Sequence, residues 1–345
     1  MGASSRMRFY QYLPDLQSQG IEIEVSPLLS DGYLKRLYAK QATNWRGVIN
    51  DYLKQMVRLL TVRDYDLLWI EKELFPNLPP WFEQVLARRG VRYVADYDDA
   101  VFHNYDQSLN PLKRLVRNKI DSVMQHAALV VCGNSYLAER ACCAGARRVE
   151  VIPTVVDLNR YAVVKPREHG KLVIGWIGSP STVKYLDLVA EPLKELAREL
   201  PVQLRVVGAS CAVPGLDVVC RTWTEAGEAE EIQQFDLGIM PLADSPWERG
   251  KCGYKLIQYM ACGLPVVASP VGVNTEIVAH GVNGFLAQSQ DEWLTAIRAL
   301  STDAASRRDI GARGRRSVEQ NYCLQVTAPR LARLFHEILA GRMPE

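Results

Sequence analysis

At 345 residues the chain is long enough for two domains of ordinary size, each with its own core. A net charge of +2, with 48% hydrophobic and 23% charged residues, describes a globular protein and gives no argument for a nucleic-acid partner. No apolar run approaches the roughly 18–20 residues of a membrane span, no signal peptide opens the chain, and its eight cysteines form no CxxC pair.

The expectation is therefore a cytoplasmic protein with reduced thiols and no bound metal. The start is unusual. Gly2, Ser4 and Arg6 lie in a glycine-and-serine loop that runs straight into a helix over 6–17, with no strand before it. A doubly wound domain normally begins with a strand, so its first strand is expected to be missing. Apolar runs bounded by turn residues then predict strands at 21–26, 66–70, 92–95, 129–132 and 149–152. Helices fall between them, near 46–60, 81–89, 111–125 and 135–144. On the third of these, Lys113, Arg114, Arg117 and Lys119 cluster, with Arg88, Arg89 and Arg92 nearby in sequence. Two readings stay open: a solvated helix face, or peripheral docking on an anionic membrane.

After 149–152 comes Pro153 and an aperiodic polar stretch reaching Gly170, the best domain boundary. The second half begins afresh with a strand over 172–178 that ends in glycine. Strands follow at 203–207, 216–219, 237–241, 265–268 and 284–287, with helices such as 184–199 and 255–262 between them. Near-continuous Val/Ile/Leu strands indicate parallel sheets covered on both faces. The expected organisation is an N-terminal domain over 1–155, a linker over 156–170, a C-terminal domain over 171–322, and a closing helix over 323–345 that returns to the first domain.

Three constellations carry chemistry. In 250–286 a glycine-containing loop meets a helix start, where backbone N–H groups and the dipole favour an anion. Lys251 and Lys255 stand four apart there and can neutralise a diphosphate without a metal. The strand that follows ends in a turn leading to Asn274, Thr275 and Glu276. Taken singly, these residues also read as surface lysines and helix caps. A second segment, Gly178-Ser179 with Lys184, follows the first strand of the C-terminal half. Lys184 is either a phosphate ligand or an exposed helix-start lysine. The third is the run Asp96-Tyr97-Asp98-Asp99 at a strand's carboxyl end, followed by His103. One of its carboxylates can orient or deprotonate an acceptor hydroxyl, or cap the next helix.

The run Met260-Ala261-Cys262-Gly263-Leu264-Pro265-Val266-Val267 resembles a hallmark of retaining glycosyltransferases of family 4, as do Gly272–Val278 and the Gly281-Val282-Asn283-Gly284-Phe285-Leu286 turn. Asn134-Ser135-Tyr136-Leu137 and Val151-Ile152-Pro153 with Val156-Asp157 are similar to that family's fifth-strand helix start and domain crossover. The resemblance implies the GT-B fold, two doubly wound Rossmann-like domains facing each other across a cleft. It also implies retaining transfer of a hexose-type sugar from a nucleoside diphosphate-sugar donor, without a metal, to a hydroxyl of an unidentified glycan, lipid-linked or small-molecule acceptor. Lys184, Lys251 and Lys255 then hold the diphosphate. Gly178, Ser179, Arg249, Gln258, Asn274, Thr275 and Glu276 complete the donor site, while Asp98, Asp99, His103 and the Gly2–Arg6 loop lie on the acceptor and phosphate side. The chain departs from the family at three positions. Gly250 and Gln258 stand where the family has a pair of glutamates, leaving Glu248 as a substitute from a shifted loop, and Ser179 stands where it has an arginine. Two other functions stay in view: a sugar-nucleotide-binding partner subunit without turnover, and a sugar-nucleotide epimerase of the same architecture.

Overall fold

The computed structural model describes residues 2–30, 32, 33, 36, 39, 41–163 and 170–341. Met1, His169, the 164–169 part of the expected linker and the last four positions of the expected closing helix lie outside the described residues. The chain forms two compact units. One takes the described residues up to Pro153 together with those from Ala328 onward, and the other is Thr154–Thr327.

In the first unit, β1 (Leu68–Glu71), β2 (Tyr93–Tyr97), β3 (Leu129–Cys132) and β4 (Val149–Val151) form a parallel sheet in chain order. Every residue of β2 and β3 is buried, which accounts for the unbroken apolar run of β3; in β2 the one charged residue, Asp96, is buried with a partner. The strand expected over 21–26 is absent. Here Glu24 pairs with Arg58 and Tyr65, and Ser26 with Gln55, so side chains rather than a backbone ladder hold this alternating stretch. The helix expected over 111–125 is broken into Pro111–Leu115 and Lys119–His126.

The first helix, Ala3–Arg8, is tied to the sheet by a buried charge. Arg8 Nε lies 2.7 Å from an Asp96 carboxylate oxygen on β2, and its Nη1 donates to the Ile152 carbonyl at 2.7 Å. The Trp69 indole donates to the other Asp96 oxygen at 3.3 Å and packs against Phe9 and Phe335. The loop after β1 is strapped down in a similar way. Lys119, wholly buried, pairs with Glu73 and donates to the Phe75 carbonyl, and the Tyr105 hydroxyl donates to Glu73 at 2.8 Å. Such a pair repays its desolvation only while both partners remain.

In the second unit, β5 (Leu172–Ile177), β6 (Val202–Val207), β7 (Asp217–Arg221), β8 (Leu237–Met240), β9 (Val266–Ala268) and β10 (Phe285–Leu286) form a parallel sheet ordered β10-β9-β8-β5-β6-β7. The chain moves outward from β5 to β7, then crosses back and moves outward from β8 to β10. The reversal between β5 and β8 is the topological switch point, outside whose carboxyl ends doubly wound sheets bind ligands. The two strands pair through only Ile174–Leu237 and Gly175–Gly238, whereas β5 and β6 pair along six residues.

Truncating Lys119 to Ala strands Glu73 in the interior, and urea titration of Lys119→Ala should show the first unit destabilised by about 3–5 kcal/mol.

Candidate functional site at the switch point

The helix Tyr254–Ala261 follows β8 and points its N-terminus at this reversal. Its position depends on missing side chains. A Cβ on Gly238 would lie 2.2 Å from the Tyr259 ring, so only glycine lets that ring lie on β8. The Tyr259 hydroxyl then accepts the Ile177 N–H at 2.9 Å, just where the ladder between β5 and β8 has stopped. Gly253 caps the helix with φ +64°, the left-handed conformation that favours glycine.

At the second residue of the helix, the Lys255 ammonium stands 4.3 Å from the centroid of the buried Trp176 ring on β5. A Cβ on Gly178 would lie 2.8 Å from that ammonium and 2.6 Å from the Trp176 ring, so the glycine ending β5 makes the room Lys255 occupies. Loss of hydration, aided by repulsion from Lys251, pulls the Lys255 pKa down to about 7. Among the described residues no carboxylate offsets the burial of this ammonium, and an arriving anion would supply the missing negative charge. Lys251 lies 6.0 Å from the Trp247 ring centroid. Lys184 is exposed and makes no ion pair among the described residues, and Ser179 turns its hydroxyl to Ser181 at 2.8 Å.

Glu248 is buried on the short helix Pro246–Arg249 and accepts hydrogen bonds from the Tyr185 and Ser245 hydroxyls. Burial works against its charge, but these donors, its own backbone and Lys251 together hold the carboxyl below its usual range. Arg249 forms a two-point pair with Asp244 on the surface, at 2.7 and 3.0 Å. Gln258 is turned inward. It donates to the Tyr161 hydroxyl at 2.9 Å, and that hydroxyl donates to the buried Glu228 at 3.0 Å, which also accepts from Trp223. Asn274, buried, donates to the Ser269 carbonyl, while Thr275 and Glu276 are exposed on the helix Asn274–Ile277. That helix meets the Tyr254 helix at its start: a Cβ on Gly253 would lie 2.4 Å from Ile277.

In the first unit a second cluster gathers at the carboxyl ends of β1 and β2. Lys72, with φ +63°, follows β1 and places its ammonium 3.0 Å from an Asp98 oxygen and 3.0 Å from the Ser4 hydroxyl. Burial works against both charges. For Asp98, Lys72 and Ser4 outweigh it and lower the pKa; for Lys72, the carboxylates of Asp98, Asp99 and Glu71 outweigh it and raise the pKa. A bulky residue held in the left-handed region beside a strand end is the sort of strain that collects at functional sites. His103 sits on the short helix His103–Asp106 with its two ring nitrogens 2.9 Å from Asp106 and 2.9 Å from the Tyr136 hydroxyl. Arg6 is buried, and Gly2 precedes the first helix.

The structure thus brings together Gly178, Lys251, Lys255 and Glu248 on one unit, and Ser4 with Asp98 on the other. It turns Gln258, Arg249 and His103 toward protein partners. Sequence reasoning missed Trp176, Tyr185 and Tyr259, whose aromatic character reads as ordinary core. It also missed Lys72, although a charged residue directly after a predicted strand was a usable signal. Among the described residues no group of three or more His, Cys, Asp or Glu is arranged to hold a metal.

The two parallel sheets have the GT-B architecture. Sucrose-phosphate synthase from Thermosynechococcus elongatus superposes with a TM-score of 0.65 at 18% identity, over 85% of this chain and 79% of that one. Anabaena HepE in complex with UDP gives 0.64 at 18% identity, over 82% of each. Residues 171–303 match the family model described as Glycosyl transferases group 1, and the chain has distant relatives among glycosyltransferases. The GDP-mannose-dependent alpha-(1-6)-phosphatidylinositol monomannoside mannosyltransferase of Mycolicibacterium smegmatis is 26% identical over 84% of this chain and 80% of its own length. N-acetyl-alpha-D-glucosaminyl L-malate synthase of Bacillus anthracis is 28% identical over 27% of this chain, and the D-inositol 3-phosphate glycosyltransferase of Geodermatophilus obscurus 26% over 48%. The chain spans only 25% and 44% of the length of these last two.

Gly178→Ala should force the Lys255 ammonium off its seat, because the rigid Trp176 ring cannot yield; sugar-nucleotide affinity measured by calorimetry should fall at least tenfold. The Lys255 titration gives a second expectation. Below about pH 7 the amine is charged in the free protein; above it the proton is lost, and anion binding must take one up again. Affinity for a sugar nucleotide, whose diphosphate has no ionisation in this range, should therefore decline from pH 7 to pH 9. At pH 8, calorimetry in buffers of different ionisation enthalpy should register proton uptake.

Proposed function

We propose that the protein transfers a hexose-type sugar from a nucleoside diphosphate-sugar donor to an acceptor hydroxyl, with retention of configuration. The observation that carries this reading is the Lys255 ammonium, poorly hydrated and with no carboxylate partner among the described residues, seated over Trp176 and against Gly178 at the switch point. A neighbour solved with UDP and a relative named for GDP-mannose support a sugar nucleotide as the ligand class.

In this reading the second unit holds the donor. Lys255 and Lys251, with Lys184 reaching in from the β5 loop, neutralise the diphosphate and stabilise it as the bond from the anomeric carbon to the phosphate oxygen breaks. The helix start adds backbone N–H groups to the same anion. Asn274, Thr275 and Glu276 serve the ribose and sugar side. Glu248, fully engaged by Tyr185 and Ser245, acts as a post that fixes the loop bearing Lys251. The first unit holds the acceptor. Asp98, charged and steadied by Lys72 and Ser4, accepts a hydrogen bond from the acceptor hydroxyl, whose oxygen forms the new bond to the anomeric carbon while its proton ends on the released diphosphate. Asp99 and His103 line the same strand end and the helix beyond it. The lysines supply the charge a metal would otherwise provide, so the reading is metal-independent. The acceptor is a glycan, lipid-linked or small-molecule hydroxyl, and the cationic residues of the first unit fit presentation at an anionic membrane.

One observation favours a second reading, a sugar-nucleotide-binding partner without turnover. The family's two glutamate positions hold Gly250 and a Gln258 engaged by Tyr161.

Screening UDP-, GDP- and dTDP-sugars by thermal shift and calorimetry should find one donor in the micromolar range, and no heat with any of them would refute the donor site. Slow release of nucleoside diphosphate from that donor separates the enzyme from the silent binder. Lys255→Ala should cost about 1.5–3 kcal/mol of donor affinity, the range for a hydrogen bond to a charged group. Turnover should persist in excess EDTA, and its abolition would contradict the metal-free reading.

A further inference from the structure

The helix Trp45–Arg58 has no fully buried residue. Its inner side is half-buried through Val48, Tyr52 and Met56; the Tyr52 ring lies 5.5 Å from the Phe75 ring and its hydroxyl donates to the Pro76 carbonyl at 3.0 Å. Its outer side carries Trp45, Ile49, Leu53 and Val57 at every fourth position, followed by Leu60, and all five are between 56% and 75% exposed. Residues four apart share one face, so these side chains form a continuous apolar stripe in water. Isolated exposed apolar residues need no explanation, but a contiguous stripe does.

The stripe has company. Phe75, against which the inner side of this helix packs, also lies 4.5 Å from Phe82 on the helix Trp81–Arg88, whose Trp81 and Val85 are exposed. The helix Pro111–Leu115 exposes Leu112 and Leu115 at 72% and 82%. Cations alternate with these apolar residues. Arg46 and Lys54 stand one position after Trp45 and Leu53, Arg88 and Arg89 end the Trp81 helix, and Lys113, Arg114 and Arg117 surround Leu112 and Leu115. Lys119 is buried and Arg92 donates to the carbonyls of Ile338 and Leu339, so neither belongs to this set.

We propose that the stripe is a membrane-docking element that lies in the interfacial plane of an anionic bilayer. Apolar side chains of this size insert among the acyl chains, the indole of Trp45 suits the headgroup boundary, and the interleaved lysines and arginines meet anionic headgroups. No helix of the described residues is long and apolar enough to cross a bilayer, which leaves the in-plane orientation. The same charges argue against a second copy of the chain as occupant. A two-fold interface through the stripe sets its cations against the same cations of the partner. An anionic surface resolves that conflict. This inference stands on the exposed helix and is independent of the donor reading.

The test is sedimentation of the full chain with sucrose-loaded vesicles of phosphatidylcholine alone and of phosphatidylcholine with 30% phosphatidylglycerol ("30%" meaning about three lipids in ten). Binding is expected to the anionic vesicles and to fall at least tenfold in Ile49→Gln/Leu53→Gln. Arg46→Gln/Lys54→Gln should weaken binding and flatten its salt dependence. These positions are exposed, so the thermal melt of both variants should match the parent. Equal binding by the parent and Ile49→Gln/Leu53→Gln would overturn the assignment, as would no binding to anionic vesicles. Sedimentation velocity covers the rival occupant: a parent dimer that Ile49→Gln/Leu53→Gln converts to monomer would assign the stripe to self-association instead.

Discussion

The Tyr259 hydroxyl takes up the Ile177 N–H at the point where β5 and β8 part, and the geometry of the donor-side cluster follows from that one bond. Two adjacent parallel strands in a sheet would ordinarily satisfy each other's amides. Here the ladder lasts only two residue pairs, and a side chain from the following helix completes it. That substitution is possible because Gly238 leaves room for the ring on β8, as Gly175 leaves room for Phe235 on β5, where a Cβ would lie 1.9 Å from the ring. The helix is thereby registered against both strands. Its second residue, Lys255, can then reach across the switch point to Trp176, and the Gly178 turn can stay open beneath it.

The two clusters solve opposite electrostatic problems. On the second unit a lysine is held where hydration is poor and its nearest charged neighbour is another lysine, so its proton is weakly held. Such an arrangement is unfavourable until an anion arrives, and the anion then gains more than it would from a solvated, already paired lysine. On the first unit Lys72 is surrounded by Asp98, Asp99 and Glu71 and holds its proton tightly, while Asp98 stays charged. A cation already satisfied in this way does not seek a phosphate. It fixes a carboxylate. The two clusters thus differ in kind: a poorly hydrated cation on one unit, and a carboxylate paired with a lysine on the other.

Much of this was legible in the residues. Strands rich in Val, Ile and Leu and bounded by turn residues announce themselves, so β2, β3, β5, β6 and β8 fall within a residue or two of where the pattern puts them. The 21–26 stretch misled because its alternation of Ile and Glu suits a half-exposed strand, whereas its glutamate is engaged by Arg58 and Tyr65. A strand needs a backbone partner, and one-dimensional patterning carries no information about that. The site was legible in part for the same reason. Lysines at a helix start are visible from spacing, and Lys255 was found that way. What gives Lys255 its character is a ring from β5 and an absent side chain at Gly178, both distant in sequence. Gln258 illustrates the reverse: its identity suggested a ribose contact, and its surroundings direct it to Tyr161.

The departures from the family's pattern acquire a common logic from this geometry. A glutamate at position 250 would stand next in sequence to Lys251, and an arginine at 179 would add a cation beside Gly178. With glycine at 250, glutamine at 258 and serine at 179, two negative side chains and one positive are absent relative to that pattern, so these positions are together more positive by one charge. Glu248 does not restore the missing carboxylate, since both of its oxygens accept hydrogen bonds from Tyr185 and Ser245. The cations at this helix start are then Lys251 and Lys255, and the Trp176 ring covers one side of the Lys255 ammonium. The turn that bears Asn274, Thr275 and Glu276 meets the start of the same helix through Gly253 and Ile277, so the remaining polar side chains of the segment stand next to the two lysines in the fold.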